Sequence, residues 1–179
     1  MRTRAAYLTL LAALAFLSLG AAGATAAANP VRTLSSANQL ETQVLSELNA
    51  IRRAHHLVPL RLSRPLSSAA DSHSRARGTY GFFSHSSRDG SPFWKRVKSF
   101  YGPGSKGAWS VGENLLWSTT GIDASDAVKL WMDSPGHRKN ILGPAWREVG
   151  LSALTVPAAP GVFGGYDVVI ITTDFGFRS

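Results

Sequence analysis

A chain of 179 residues without a single cysteine excludes disulfide staples, thiolate metal sites and cysteine nucleophiles from the outset. Nineteen Lys and Arg against 11 Asp and Glu give a formal net charge of +8 at pH 7, which suits anionic envelope polymers or lipid headgroups. No clustered aromatic and basic stripe points to nucleic acid, which is not expected as a partner.

In chain order, Arg2 and Arg4 precede a long apolar run, and ATAAA at residues 24–28 offers small-x-small cleavage. Residues 1–28 therefore read as a secretory signal peptide, with a mature chain beginning near Asn29. About 150 residues then remain, enough for one domain with a sizeable core, and no later segment is long and apolar enough to span a bilayer. Residues 29–39 are a polar lead-in with little periodicity. From Leu40 the apolar positions Val44, Leu45, Leu48 and Ile51 keep helical spacing, and Pro59 stops that helix before Val58. Ser63 with Pro65 opens a second helix carrying Leu66, Ala69, Ala70 and His73, closed by Gly78 and Gly81.

Ser91-Pro92 reads as an N-cap with proline at the first helical position, starting the short helix SPFWKRVKSF. GPGSKG at 102–107 is a turn or loop, and Val111, Glu113 and Leu115 alternate as in a short strand. Asp123 caps a helix whose Ala127, Leu130 and Trp131 form an apolar stripe. Pro135 breaks that helix at Ser134, and the same Ser134-Pro135 pair restarts a short helix through Ile141. REVGLSALTV and GYDVVIITTDFG close the chain as strands. Helices and strands are interspersed without βαβ alternation, so the expected class is α+β, a mostly antiparallel sheet with packed helices.

FFSH, GEN, the AVKLWM helix, SPGHRKNIL and the VGL strand, in this order, resemble the CAP superfamily, closest to its cysteine-free bacterial SCP-like branch. The resemblance covers residues 40–177 and makes 40–179 one CAP domain. It implies an α-β-α sandwich, with the sheet between helical layers, and a cleft of two histidines and two acids. Carried over by position, these are His85, Glu113 and His137. The second acid of the W-x-x-E pattern is replaced, since Ser134 stands three residues after Trp131. Asp133 is adjacent but would point elsewhere on a helix.

His137 falls at the third position of the short helix capped by Ser134, where the positive field of a helix N-terminus favours neutral imidazole. Neutral imidazole is the form that ligates zinc or acts as a base. His85 and His137, with Glu113 and water, would satisfy tetrahedral Zn2+. The competing reading makes Glu113 a buried carboxylate that the two histidines pair for structural reasons. Asn114 and Asn140 read as residues that satisfy backbone groups, and Trp94, Trp117 and Trp131 as core. Arg138 and Lys139 read as a solvated helix face, and His73 as a surface or satisfied histidine.

Three classes of function follow. The first is a secreted, possible cell-surface binding module with a His/Glu cleft, taking a divalent metal or lipid. The second is an envelope or host-interaction scaffold without cleft chemistry. The third is a hydrolase using Ser84, Ser86 or Ser134, although no G-x-S-x-G elbow is present. The binding module ranks first, the hydrolase last, and the domain is expected as a monomer.

Overall fold

The computed structural model describes residues 30–119 and 121–179, with side chains from Gln39 onward. The segment read as a signal peptide, 1–28, lies outside the described residues. The first helix, α1 (Pro30–Ala54), is already helical through most of the stretch read as a polar lead-in. That stretch holds no apolar stripe to betray its period. From Leu40 on, α1 sets Val44 and Leu48 fully inside the core.

The chain then makes β1 (Arg61–Leu62), α2 (Arg64–Tyr80), α3 (Phe93–Phe100), β2 (Trp109–Thr119), α4 (Ala124–Asp133) and α5 (Pro135–Ile141). It closes with β3 (Glu148–Val156), a 3-10 turn at Gly161–Phe163, and β4 (Val168–Arg178). The sheet order is β1-β3-β4-β2, with β4 antiparallel to both long neighbours and β1 parallel to β3. β1 is too short to show any alternation and was not foreseen. Asn49 holds its approach, accepting from Leu60 N at 2.7 Å and donating to Leu60 O at 3.0 Å.

Side-chain alternation along β4 divides the core. Val169, Ile171 and Phe175 pack with Val44 and Leu48 of α1 and with Val128 and Trp131 of α4. Val168 and Ile170 face the other way, toward Phe163, and α2 and α3 cover that second face through Leu66, Ala69, Val97 and Tyr101. Burial on both faces explains why β4 reads as a near-continuous apolar run. The result is an α-β-α sandwich, as expected.

Several local expectations change. Gly78 does not end α2 but lies buried inside it, where an added Cβ would meet Val156 Cγ2 at 2.8 Å. Gly81 alone terminates the helix, with φ 67° and its amide bonded to Arg77 O. Pro92, not Ser91, sits at the N-cap of α3. Asp123 caps α4 as read, its side chain accepting from Asp126 N at 2.8 Å. Leu130, placed in the apolar stripe, is 52% exposed, and Trp94, read as core, is 46% exposed.

Two devices seat α5, the helix that carries His137. Arg52 of α1, fully buried, donates to the carbonyls of Ile141 at 2.7 Å and Gly143 at 3.0 Å, just where α5 ends. Asn140 Nδ2 donates to Glu113 O at 3.0 Å and to Asn114 Oδ1 at 2.8 Å, while Asn114 Nδ2 donates to His137 O at 3.1 Å. Both asparagines thus satisfy backbone groups between β2 and α5, as their sequence context implied.

Candidate functional site

Glu113 lies on β2 with its side chain fully excluded from solvent. Its alternation with Asn114 sends it to the α2 side of the sheet, directly opposite Asp174 of β4. An isolated carboxylate there would be strongly unfavourable, so its partners decide what it does. Oε1 accepts from His85 Nδ1 at 2.8 Å, and Oε2 forms an ion pair with Arg96 of α3. Arg96 is 9% exposed and also donates to His85 O at 3.3 Å. One guanidinium therefore fixes both the carboxylate and the loop that carries the histidine.

His85 itself is 53% exposed at the rim, with its ring 6.3 Å from that of Phe93. Since an ionised carboxylate only accepts, the Nδ1 hydrogen points at Glu113 and Nε2 stays uncommitted. His137 is half-buried, and its Nδ1 has no hydrogen-bond partner among the described residues. Burial, and after it the charge of His85, lowers its pKa below the ordinary histidine value. The two rings are thus electrostatic neighbours, and His137 is held toward the neutral form. Desolvation is the leading cause, rather than the helix N-terminus invoked from sequence.

Ser134 begins α5 but makes no side-chain capping bond, and Asp133 turns to solvent to pair with Lys129 at 2.6 Å. No acid replaces the missing fourth member on that helix. Of the residues expected in the cleft, the structure brings His85 onto Glu113 and sets His137 near His85. Ser134 makes no side-chain bond to any of the three.

Behind Glu113 lies a polar layer that sequence reasoning missed. Arg77 of α2, fully buried, donates to Ile171 O at 2.9 Å and Thr172 Oγ1 at 2.6 Å. Burial lowers its pKa to about 10, with Arg96 adding to the shift and Glu113 and Asp174 opposing it. Burial, then the charge of Glu113, raises the Asp174 carboxyl well above the usual range, only partly offset by the two guanidiniums. The signals were present: an acid inside the apolar run of β4, and Arg96 one helical turn after the inward-facing Phe93.

His73, read as a surface or satisfied histidine, is 1% exposed and donates through Nε2 to Ser84 O at 2.9 Å. Burial is the main cause that drops its pKa to about 4, with Arg96 and Arg77 adding to the drop and Glu113 opposing it. The unfolded chain therefore binds a proton at His73 that the folded chain refuses between pH 6.5 and 4. This contribution to stability is complete above pH 6.5 and is lost as pH falls toward 4. Urea unfolding across that window should show a steeper loss of stability for the wild type than for His73→Gln. The difference between the two cancels the opposing contribution of Asp174, and parallel curves would refute the assignment.

Among the described residues no group of three or more His, Asp or Glu is placed to hold an ion. Both oxygens of Glu113 are committed, to His85 and to Arg96, so the carboxylate is not free to serve as the third ligand expected beside the two imidazoles and water. What is left for a ligand to meet is the exposed His85 ring, oriented by a carboxylate, and beside it the enclosed, unpaired Nδ1 of His137.

Comparison with known proteins agrees with this architecture. Residues 45–168 match the profile of the cysteine-rich secretory protein family, CAP. The chain is 36% identical over 118 residues to the uncharacterised protein YkwD of Bacillus subtilis, covering 65% of this chain and 43% of that one. It is 30% identical over 111 residues to the uncharacterised membrane protein YlbC of the same organism, covering 62% and 30%. The chain thus spans less than half the length of either relative. A solved extracellular protein of Bacillus anthracis containing an SCP domain shares the fold with TM-score 0.64 at 24% identity, over 84% of this chain and 44% of that chain. A solved outer surface protein of Borrelia burgdorferi does so with TM-score 0.61 at 18% identity, over 76% and 90%. With the family profile matched over most of its length and the sandwich in place, the chain belongs to the cysteine-rich secretory protein (CAP) family.

Proposed function

We propose that this chain is an exported binding module whose cleft holds a divalent transition metal through His85 and His137, with Glu113 as the positioning carboxylate. The bond from His85 Nδ1 to Glu113 Oε1 at 2.8 Å carries the reading, because it directs the opposite ring nitrogen to a ligand. The unpaired Nδ1 of His137 supports it as a buried polar atom with no partner among the described residues. Export rests on the basic start, apolar run and ATAAA of residues 1–28, and on relatives described as extracellular or outer-surface proteins. A hydrolytic role has less support. No serine hydroxyl bonds either cleft imidazole among the described residues, so the nucleophile–base pairing of such enzymes is not assembled.

Calorimetric titration of Zn2+ into the chain from Asn29 onward tests the metal site. One saturable equivalent, abolished in the double variant His85→Ala, His137→Ala, is the expected result. With two protein ligands, affinity should be modest and fall as pH drops and the imidazoles protonate. Absence of specific heat in the wild type would leave the cluster as a clasp between α3 and β2.

A further inference from the structure

The helix that supplies Arg96 to the cleft turns its other side to solvent, and that side has a chemistry of its own. Along α3, Phe93, Arg96 and Val97 lie inward or at the boundary, while Trp94, Lys95, Lys98 and Ser99 are exposed. Trp94 is 46% exposed and Phe100, at the end of the helix, 43% exposed. An indole flanked by two ammonium groups on one helix face places apolar and cationic surface side by side.

The positive charge continues beyond the helix. Tyr101, which caps α3, carries the Arg178 guanidinium 4.2 Å above its ring. Arg61 of β1 is exposed and close enough to act electrostatically on the same tyrosine. Glu148 is taken up by Tyr101 Oη at 2.5 Å and by Arg178 at 3.7 Å. The exposed acid near the start of α3, Asp89, is held by Ser91 N and Oγ. Lys95 and Lys98 lie on α3 itself, while Arg61 and Arg178 stand about Tyr101 at its end, Arg178 paired with Glu148.

We propose that the exposed face of α3, Trp94 with Lys95 and Lys98, together with Phe100 at the end of the helix, docks this domain on an anionic lipid surface. The rings supply what a polyanion alone would not require. Indole and phenyl groups settle at the headgroup level, while lysine stems reach along apolar surface to place their charges among lipid phosphates. Each basic residue near such a surface adds about fivefold in affinity, so neither the charges nor the rings suffice alone. Arg96, on the opposite side of the same helix, would then hold the His85–Glu113 cleft one helix diameter, about 10 Å, from the headgroups.

The test is cosedimentation of the chain from Asn29 onward, which carries the whole described structure, with vesicles. The apolar segment before Asn29 is left out because its own lipid affinity would mask the patch. Binding to vesicles of phosphatidylcholine with one third phosphatidylglycerol is expected, with none to pure phosphatidylcholine. Lys95→Glu with Lys98→Glu should lower affinity by more than about 25-fold, from two cations lost at about fivefold each. Trp94→Ser with Phe100→Ser, which leaves the charge intact, should lower it by at least about tenfold, the effect of burying only ~55 Å² of the exposed ring area at the surface. Unchanged binding of the ring variant, together with equal retention on immobilised polyglutamate, would overturn the proposal in favour of charge-only attraction to a polymer. Absence of binding to anionic vesicles would overturn it outright. The His85→Ala, His137→Ala variant should bind vesicles like the wild type, so failure of the metal site and failure of the lipid surface are separately visible.

Discussion

Replacing Glu113 with alanine is expected to lower folding stability by about 3–5 kcal/mol in urea unfolding. The size follows from what the carboxylate leaves behind. Arg96, 9% exposed, loses its ion pair, and the fully buried Arg77 guanidinium stands in the same layer. Two buried cations would then face each other with only Asp174 between the strands and helices to answer them. Burial raises that carboxyl, and although losing Glu113 removes a second cause that raises it, one carboxylate is left to answer two guanidiniums. Removing one partner of a buried pair is far more damaging than the pair is stabilising, because the orphaned charge keeps its desolvation cost. His85→Ala should cost much less, since that ring is 53% exposed and leaves only one carboxylate oxygen to rehydrate. Equal and small effects of the two substitutions would show that Arg96 does not depend on Glu113. The cleft would then have to be rebuilt around a different anchor.

Much of this architecture was legible because local rules and the global fold agree. Pro65 and Pro135 set helix starts, Asp123 caps α4, and Gly81 takes the left-handed conformation that ends α2. The positions of His85, Glu113 and His137 followed from motif order. What was not legible depends on cross-strand register and on helix rotation against the sheet, which spacing alone does not encode. Nothing in the sequence aligns Glu113 with Asp174, far along the chain, and only the antiparallel pairing of β2 and β4 brings them opposite. Likewise nothing in the sequence marks Arg77, in the last turn of α2, as buried; only the seating of α2 on the sheet takes it out of water. Leu130 and Trp94 failed in the opposite direction: apolar type was taken as burial, though apolar side chains are common at protein surfaces.

How α2 comes to lie so close can be probed at a single backbone position. Gly150→Ala on β3 should lower stability by about 4 kcal/mol or more, or abolish folding. A Cβ built there would fall 2.0 Å from the carbonyl carbon of Leu66 and 2.2 Å from Ser67 N. These are backbone atoms, so no rotamer change relieves the clash and α2 must lift from the sheet. Lifting would stretch the Ser67 Oγ contact to Leu151 N at 3.2 Å and the Ser74–Thr172 hydroxyl pair at 2.7 Å. It would also pull Arg77 from Thr172 and His73 from Ser84, the residue next to His85. Gly136→Ala is the control, since nothing lies within 4 Å of a Cβ there. Within the short helix α5 that change should be neutral or stabilise by up to about 1 kcal/mol. If both alanines were tolerated, close seating of α2 would not be what holds the buried polar layer together. If only Gly136→Ala is tolerated, a glycine far from the cleft in sequence sets the depth at which the cleft's histidine loop is hung. A partly folded Gly150 variant would then lose Zn2+ binding along with stability, although every cleft side chain is still present.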